Sequence, residues 1–332
     1  MKVAAFFGKK DIRLVDLGEP VAGMDSVVMK VCACGICGTD VHAFNSDFLT
    51  GSVTTVIDGY RVIGHEFAGE IVGVGQNVAG WQVGDRVASV HNRGGMAEYV
   101  HIPGDRLKDL YRIPTHLPYA TAATLEPFCV SVHAFHLRPP ADGETVAIFG
   151  CGVIGLGYLQ AVKAYTRART ITVDVSPLRL ETARKLGADV ALNAREVDPV
   201  REIKKLTGER PMRHHKTSAG ACDIAVECSG KPAVLNQALE VLKPANGTVI
   251  VAGVYSDILP PIDPNILMVK NLTLFGSQGF TGAEVEESLR LMTSGQVQRD
   301  LLVSHTFPLE HAQEAFQVQS DPAVSVKVVV VN

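Results

Sequence analysis

The stretch Cys34–His42, CGICGTDVH, places two cysteines, a threonine, an aspartate and a histidine within nine residues. Cys34 and Cys37 have the CxxC spacing of a redox pair, a disulfide or a zinc ribbon fragment, or one of them belongs to a site completed elsewhere. Further metal-ligand types come from two separate stretches: His65 and Glu66 in IGHEFAGEIVGVG, and Glu126 in ATLEPFCVSVHA. One thiolate, one imidazole and one or two carboxylates suit an open zinc site that keeps a position for water or substrate, whereas structural zinc prefers four closed ligands. Singly, each residue has an ordinary explanation: a buried cysteine acts as a small hydrophobe, a His-Glu pair sits at many surfaces, and Glu126 before Pro127 suits a turn. Their occurrence together, upstream of a nucleotide-binding pattern, points to a metal centre.

That pattern is VAIFGCGVIG, where Gly150, Gly152 and Gly155 form GxGxxG between an apolar strand-like run and a helix-like run, with Val153 and Ile154 opening the helix. The first glycine permits a tight turn, the second lets backbone N–H groups approach a pyrophosphate, and the third lets the helix pack closely on the strand. Asp174 closes the next strand, TITVDV, where a carboxylate reads the adenosine ribose hydroxyls and repels a 2′-phosphate; NAD is therefore expected over NADP. Ser176, not Asp174, is the expected cap of the following helix. Arg179 works against the NAD preference if it pairs with a phosphate, and otherwise lies over the adenine or in solvent. Val254, at the end of GTVIVAGV, is a further candidate cofactor contact.

The elements that must position these residues fall into two patterns. The first third alternates short β-branched runs with glycine turns (SVVMKVCA, GEIVGVG, DRVASV, AEYVHI) and reads as a strand-rich, barrel-like domain. From Thr145 strands and helices alternate (TVAIFG, GVIGLGYLQAVKAY, TITVDV, SPLRLETARKLGA, CDIAVECSG, AVLNQALEVLK), the mark of βαβ units and a doubly wound parallel sheet. A helix-like segment at 284–293 and a final VSVKVVVV strand follow. The 332 residues, 46% hydrophobic and 20% charged, suffice for two domains with sizeable cores. A net charge of −4 offers no basic field for nucleic acid. No apolar run approaches bilayer length and the N-terminus breaks early into charge, so a cytoplasmic protein is expected. The seven cysteines, an odd number at 32, 34, 37, 129, 151, 222 and 228, do not make a secreted disulfide framework.

CGICGTDVH, IGHEFAGEIVGVG, GDRVA and GCGVIG followed by VDVSPLRLETARKLGAD together resemble the zinc-dependent medium-chain alcohol and polyol dehydrogenases, nearly end to end. The resemblance implies a GroES-like catalytic domain over 1–128, a Rossmann NAD-binding domain over 129–273, and a return to the catalytic domain over 274–332. It implies one catalytic zinc per chain on Cys37 and His65, with Glu66 and Glu126 competing for the third place. Asp40 matches the carboxylate that orients the ligand histidine. Thr39 matches the hydroxyl that bonds the alcohol, and His42 the outer histidine of a proton relay running from alcohol to Thr39, through the nicotinamide ribose, to solvent. Lys327 falls near a cationic position that meets cofactor phosphates in some relatives. Cys34, out of register with a ligand, is assigned to the core.

The implied reaction is reversible oxidation of a secondary alcohol to a ketone, with hydride passing to NAD. Glu126 leans the substrate toward polyols, vicinal diols and amino alcohols, and Phe44, Phe48 and Phe280 are either pocket or core aromatics. A homodimer or homotetramer built through the nucleotide domain is implied. Two departures stand out. No cysteine lies between Cys37 and Cys129, so the four-cysteine structural zinc lobe of many relatives is expected to be absent. The connection TGERPMRHHKTSAGACD is long and basic, and reads as a solvated insertion rather than as a partner site for Arg210, Arg213, His214, His215 and Lys216. The competing readings are a zinc-free NADPH quinone or enoyl reductase of the same fold, disfavoured by the ligand set, and a non-catalytic nucleotide-binding relative, disfavoured by the relay residues.

Overall fold

A computed structural model describes residues 1–46, 49–212, 218–255 and 262–332. Its chain divides into two compact units, the first formed by Met1–Pro127, Arg299–Asp321 and Lys327–Asn332, the second by Phe128–Gln298 and Pro322–Val326. No helix among the described residues is long and apolar enough to cross a membrane.

The first unit is built on two sheets, one of four strands and one of seven. At the centre of the larger, Val27–Gly35 pairs antiparallel with Glu66–Val74, and Glu66–Val74 with Arg86–Ser89. The last strand, Lys327–Val331, lies antiparallel on the other side of Val27–Gly35. Val27, Met29, Val31, Phe67, Ile71 and Val87 are fully buried between these layers. Close backbone approach here demands glycine at Gly69, where a Cβ would stand 1.9 Å from the Lys30 carbonyl oxygen.

The second unit holds a six-stranded, all-parallel sheet. Its strands run, in spatial order, Val190–Asn193, Arg169–Asp174, Thr145–Phe149, Ile224–Glu227, Thr248–Val251 and Thr273–Gly276. Numbered along the chain this order is third, second, first, fourth, fifth, sixth, the doubly wound Rossmann arrangement. Its switch point lies between Thr145–Phe149 and Ile224–Glu227. Helices start where the caps predict: Ser176 accepts from the Arg179 N–H, Asp198 from Val200 and Arg201, and Thr281 with Glu284 forms a reciprocal capping box.

The expected return to the catalytic domain at 274 is corrected. Thr273–Gly276 is the sixth strand of the parallel sheet, and the helix Gly282–Thr293 stays with the second unit, where Glu284 and Glu287 bond His133 and His136. The chain crosses back only after Gln298. In the basic insertion, Arg210 and Ala219 pair backbone to backbone, while Arg213, His214, His215 and Lys216 lie outside the described residues.

Candidate metal centre and nucleotide crevice

The metal-ligand types meet through sheet register. Gly35 sits opposite Glu66 on one side and opposite Val329 on the other, so Cys37, Glu66 and Lys327 are brought together from three distant segments. Among the described residues, Cys37, His65 and Glu66 form a group whose ligand atoms all lie within 4.8 Å of one another. Glu126, in the first turn of the helix Leu125–Leu137, is not part of that group. It is near enough to sense it: burial, reinforced by the Glu66 charge and opposed by His65, pushes its carboxyl up to about 7.

Asp40 serves two members of the group at once. Its Oδ2 accepts from the Cys37 N–H at 3.0 Å, and its Oδ1 faces His65 Nδ1 at 3.5 Å. An acceptor at Nδ1 holds the proton there and leaves Nε2 with its lone pair free to bind a metal. Burial alone would lower the His65 pKa, but the neighbouring Asp40 and Cys37 outweigh it and raise it. Burial, with Glu66 beside it, pushes the Cys37 thiol up.

Two oxygens here, Glu66 Oε1 and the Thr39 hydroxyl, are buried with neither a hydrogen-bond nor an ion-pair partner among the described residues. A fully buried carboxylate oxygen left in that state is costly unless a cation or donor completes it. Thr39 and His42 both stand on the helix Gly38–Ser46, three residues apart and half-buried.

Lys327 requires a correction. Expected near cofactor phosphates, it is instead buried inside the first unit, where its ammonium pairs with Glu66 Oε2 and donates to the Ile36 carbonyl at 2.8 Å. Gly35 makes room for this pair, since a Cβ there would stand 2.5 Å from Glu66 Oε2 and 2.8 Å from Lys327 Cε. Neither feature was legible in sequence, although a lysine within the apolar run VSVKVVVV was a signal. Phe44 belongs to the core, its ring 5.3 Å from that of Phe316, and Cys34 is likewise core. Phe280 is half-buried in the second unit, and Phe48 lies outside the described residues.

In the second unit the three glycines behave differently from one another. Gly150 has φ +96°, and a Cβ on it would press within 3.0 Å of Cys228 and Ser229; one on Gly155 would lie 1.9 Å from the Gly150 carbonyl oxygen. Gly152, by contrast, faces open space bounded by an Arg179 nitrogen at 3.9 Å. It also caps the helix Val153–Tyr165, whose first residues, Val153 and Ile154, are half-buried. A crevice here is lined by Gly150, Gly152, Asp174, Arg179, Cys228 and Ser229. Val254 is exposed just after the fifth strand, its carbonyl against Gly230.

Asp174 does more than face a ligand. Its Oδ2 accepts from the Cys151 N–H at 2.6 Å, and its Oδ1 from the Val175 and Ser176 N–H groups at 2.7 and 2.8 Å, so it fastens the glycine turn and leaves one of its four acceptor sites unused by these bonds. The Arg179 side chain is held by the Ser325 carbonyl at 2.9 Å, a contact no local pattern signals.

With this geometry in place, the chain's relatives become informative. Residues 23–114 match the family model for the alcohol dehydrogenase GroES-like domain, and residues 153–294 that for zinc-binding dehydrogenases. Sorbitol dehydrogenase of Bacillus subtilis is 30% identical over 96% of this chain and 93% of its own. The crystal structure of 2R,3R-butanediol dehydrogenase from Bacillus subtilis superposes with a TM-score of 0.85 at 29% identity, covering 100% and 99% of the two chains. A zinc-binding dehydrogenase from Sinorhizobium meliloti 1021, solved with NADP bound, gives 0.84 at 26% identity over 100% and 99%. A GroES-like unit bearing a Cys-His-Glu group, a Rossmann unit bearing a glycine turn, and these likenesses over nearly the whole length lead to one conclusion: the chain belongs to the zinc-binding dehydrogenases of the medium-chain alcohol dehydrogenase family.

Proposed function

We propose that this chain is a cytoplasmic zinc-dependent dehydrogenase that reversibly oxidises a secondary alcohol, of the polyol, vicinal diol or amino alcohol class, with NAD as hydride acceptor. The observation that carries the reading is the Cys37–His65–Glu66 group, whose ligand atoms lie within 4.8 Å of one another and whose Glu66 Oε1 is buried without a partner among the described residues. A soft thiolate, an imidazole nitrogen and a hard carboxylate make a donor set suited to zinc. Glu66 is the third ligand in this reading, and Glu126 stands behind it as the group that receives a donor from the open position.

Bound zinc supplies a Lewis acid for the alcohol oxygen, and bound nicotinamide supplies the hydride acceptor. The chain's own residues do the rest. Asp40 fixes the His65 tautomer and the position of Cys37. Thr39, its hydroxyl buried and unpartnered, accepts the alcohol proton in a hydrogen bond and orients the carbinol carbon. His42, one helical turn on and half-buried, exchanges that proton with solvent. In the crevice, Gly152 admits the pyrophosphate to the N-terminus of the helix Val153–Tyr165, and the remaining acceptor site of Asp174 receives a ribose hydroxyl. The negative charge of Asp174 favours NAD, with Arg179 covering the adenosine end.

The exposed edge strand Thr273–Gly276 supports a homodimer or homotetramer in which the sheet continues across a two-fold axis. The test is a screen of polyols, vicinal diols and amino alcohols against NAD and NADP, with metal analysis and chelation on the same preparation. Expected are NADH formation with a secondary alcohol, one zinc per chain, and loss of turnover on chelation. Two tightly held zincs per chain, or full activity after zinc is stripped, overturns it.

A further inference from the structure

Glu227 ends the fourth strand of the parallel sheet, Ile224–Glu227, and none of its surface is exposed. An acidic group closing an otherwise apolar strand is costly unless donors engage both oxygens. Those donors all come from loops. Oε1 accepts from the Ser229 N–H at 2.6 Å, the Ser229 hydroxyl at 2.5 Å and the Gly230 N–H at 3.0 Å, while Oε2 accepts from the Tyr255 phenol at 2.7 Å. The main-chain carbonyl of Glu227 adds bonds from the Ala252 and Gly253 N–H groups, at 2.8 and 2.9 Å. One residue therefore ties the loop after the fourth strand to the loop after the fifth.

Two glycines of this knot are closely packed. Gly230 has φ +62°, and a Cβ on it would stand 2.2 Å from the Val254 carbonyl; a Cβ on Gly253 would stand 2.4 Å from Glu227 Oε2. The knot sits at the switch point of the sheet, where Gly150 of the glycine turn packs on Cys228 and Ser229, and both of these line the crevice. With its oxygens engaged by the protein's own donors, Glu227 acts on a ligand through the loops it holds.

We propose that Glu227 and Tyr255 form a latch that sets the width and shape of the dinucleotide crevice, and that both are positioning residues for the cofactor. This rests on the reading above that the crevice takes NAD. The latch belongs to the second unit and shares no residue with the metal group of the first, so breaking it changes cofactor affinity without changing zinc content.

The test uses the zinc-loaded full chain and its E227Q and Y255F variants, with NADH and NADPH as probes followed by fluorescence titration. K270M is the control. Lys270 is equally buried in the same unit, bonded to the carbonyls of Leu239, Glu240 and Leu242, and does not line the crevice. E227Q keeps the side-chain shape and is expected to weaken NADH binding about tenfold, and Y255F about three- to tenfold. Amide hydrogen exchange at Ser229 and Gly230 should accelerate in both without added cofactor, at unchanged zinc stoichiometry. K270M should lower the thermal midpoint and leave the NADH affinity alone. Variants that bind NADH within about twofold of the parent, or a K270M that weakens it as much, overturn the latch alone. A parent that binds neither dinucleotide removes the crevice reading and the latch with it.

Discussion

Asp40 and Glu66 in the GroES-like unit are as deeply buried as Asp174 and Glu227 in the Rossmann unit, yet their oxygens are used differently. Around the metal group, Glu66 Oε1 has no partner among the described residues, Glu66 Oε2 leans on a lysine brought in by the last strand, and Asp40 Oδ1 faces the His65 ring at 3.5 Å. In the second unit, Asp174, which lines the crevice, and Glu227, which precedes its Cys228–Ser229 wall, are engaged by backbone N–H groups and hydroxyls of the loops around them. A carboxylate awaiting a cation must keep its lone pairs, whereas one that shapes a backbone must give them up. In the proposed reading, the first unit offers acceptors to a cation. In the same reading, the second offers a hydrogen-bonded loop backbone to a nucleotide.

The sharpest way to break that contrast is Cys37→Ser. Loss of bound zinc and of turnover together is expected, with NADH binding retained; zinc retained at full stoichiometry would remove the metal reading. Lys327→Met tests the other half of the same site. Stripping one partner from a buried ion pair costs about 3–5 kcal/mol, so the metal-free variant should unfold at much lower denaturant, and added zinc should restore most of the loss by replacing the missing positive charge beside Glu66. Equal stability of metal-free variant and parent would show that Lys327 does not hold Glu66.

Asp40→Asn keeps the size of the side chain but weakens its grip on His65. A loss of about 10–100-fold in zinc affinity or activity is expected, again at constant NADH affinity; weakened NADH binding instead would mean that the two units do not divide the work as described.

The smallest effect belongs to neither site. Burial works to raise the Glu284 carboxyl, but the Thr281 N–H, His133 and the Thr281 hydroxyl outweigh it and hold it below its ordinary value. A depressed carboxyl contributes stability above its unfolded pKa of about 4.3 and loses it as pH falls through the lower folded value. Glu284→Gln preserves the capping box and should cost less than about 1 kcal/mol at pH 7, a difference that vanishes in acid; a gap that persists at low pH would assign the effect to packing.

Legibility in the sequence followed the range of the physics involved. The glycine turn at 150–155 was readable because positive φ, open approach and close helix packing are local demands on the backbone, and each glycine meets one of them. Strand and helix alternation from Thr145 was readable for the same reason, through side-chain period and caps. The end of the Rossmann unit was not, because Thr273–Gly276 announces itself as a strand but not as the sixth strand of a particular sheet.

What the sequence by itself determined was therefore the fold class, the family, and a set of metal- and nucleotide-binding types in register with Cys37 and Gly150. Tertiary structure alone decided that the ligand atoms of Cys37, His65 and Glu66 lie within 4.8 Å of one another, that Lys327 faces Glu66, that the Asp174 carboxylate accepts three backbone N–H groups, and that Glu227 reaches Tyr255. Each of these contacts joins side chains whose meeting depends on strand register and loop closure over long separations: Gly35 opposite both Glu66 and Val329 is a property of the assembled sheet, and no local pattern carries it.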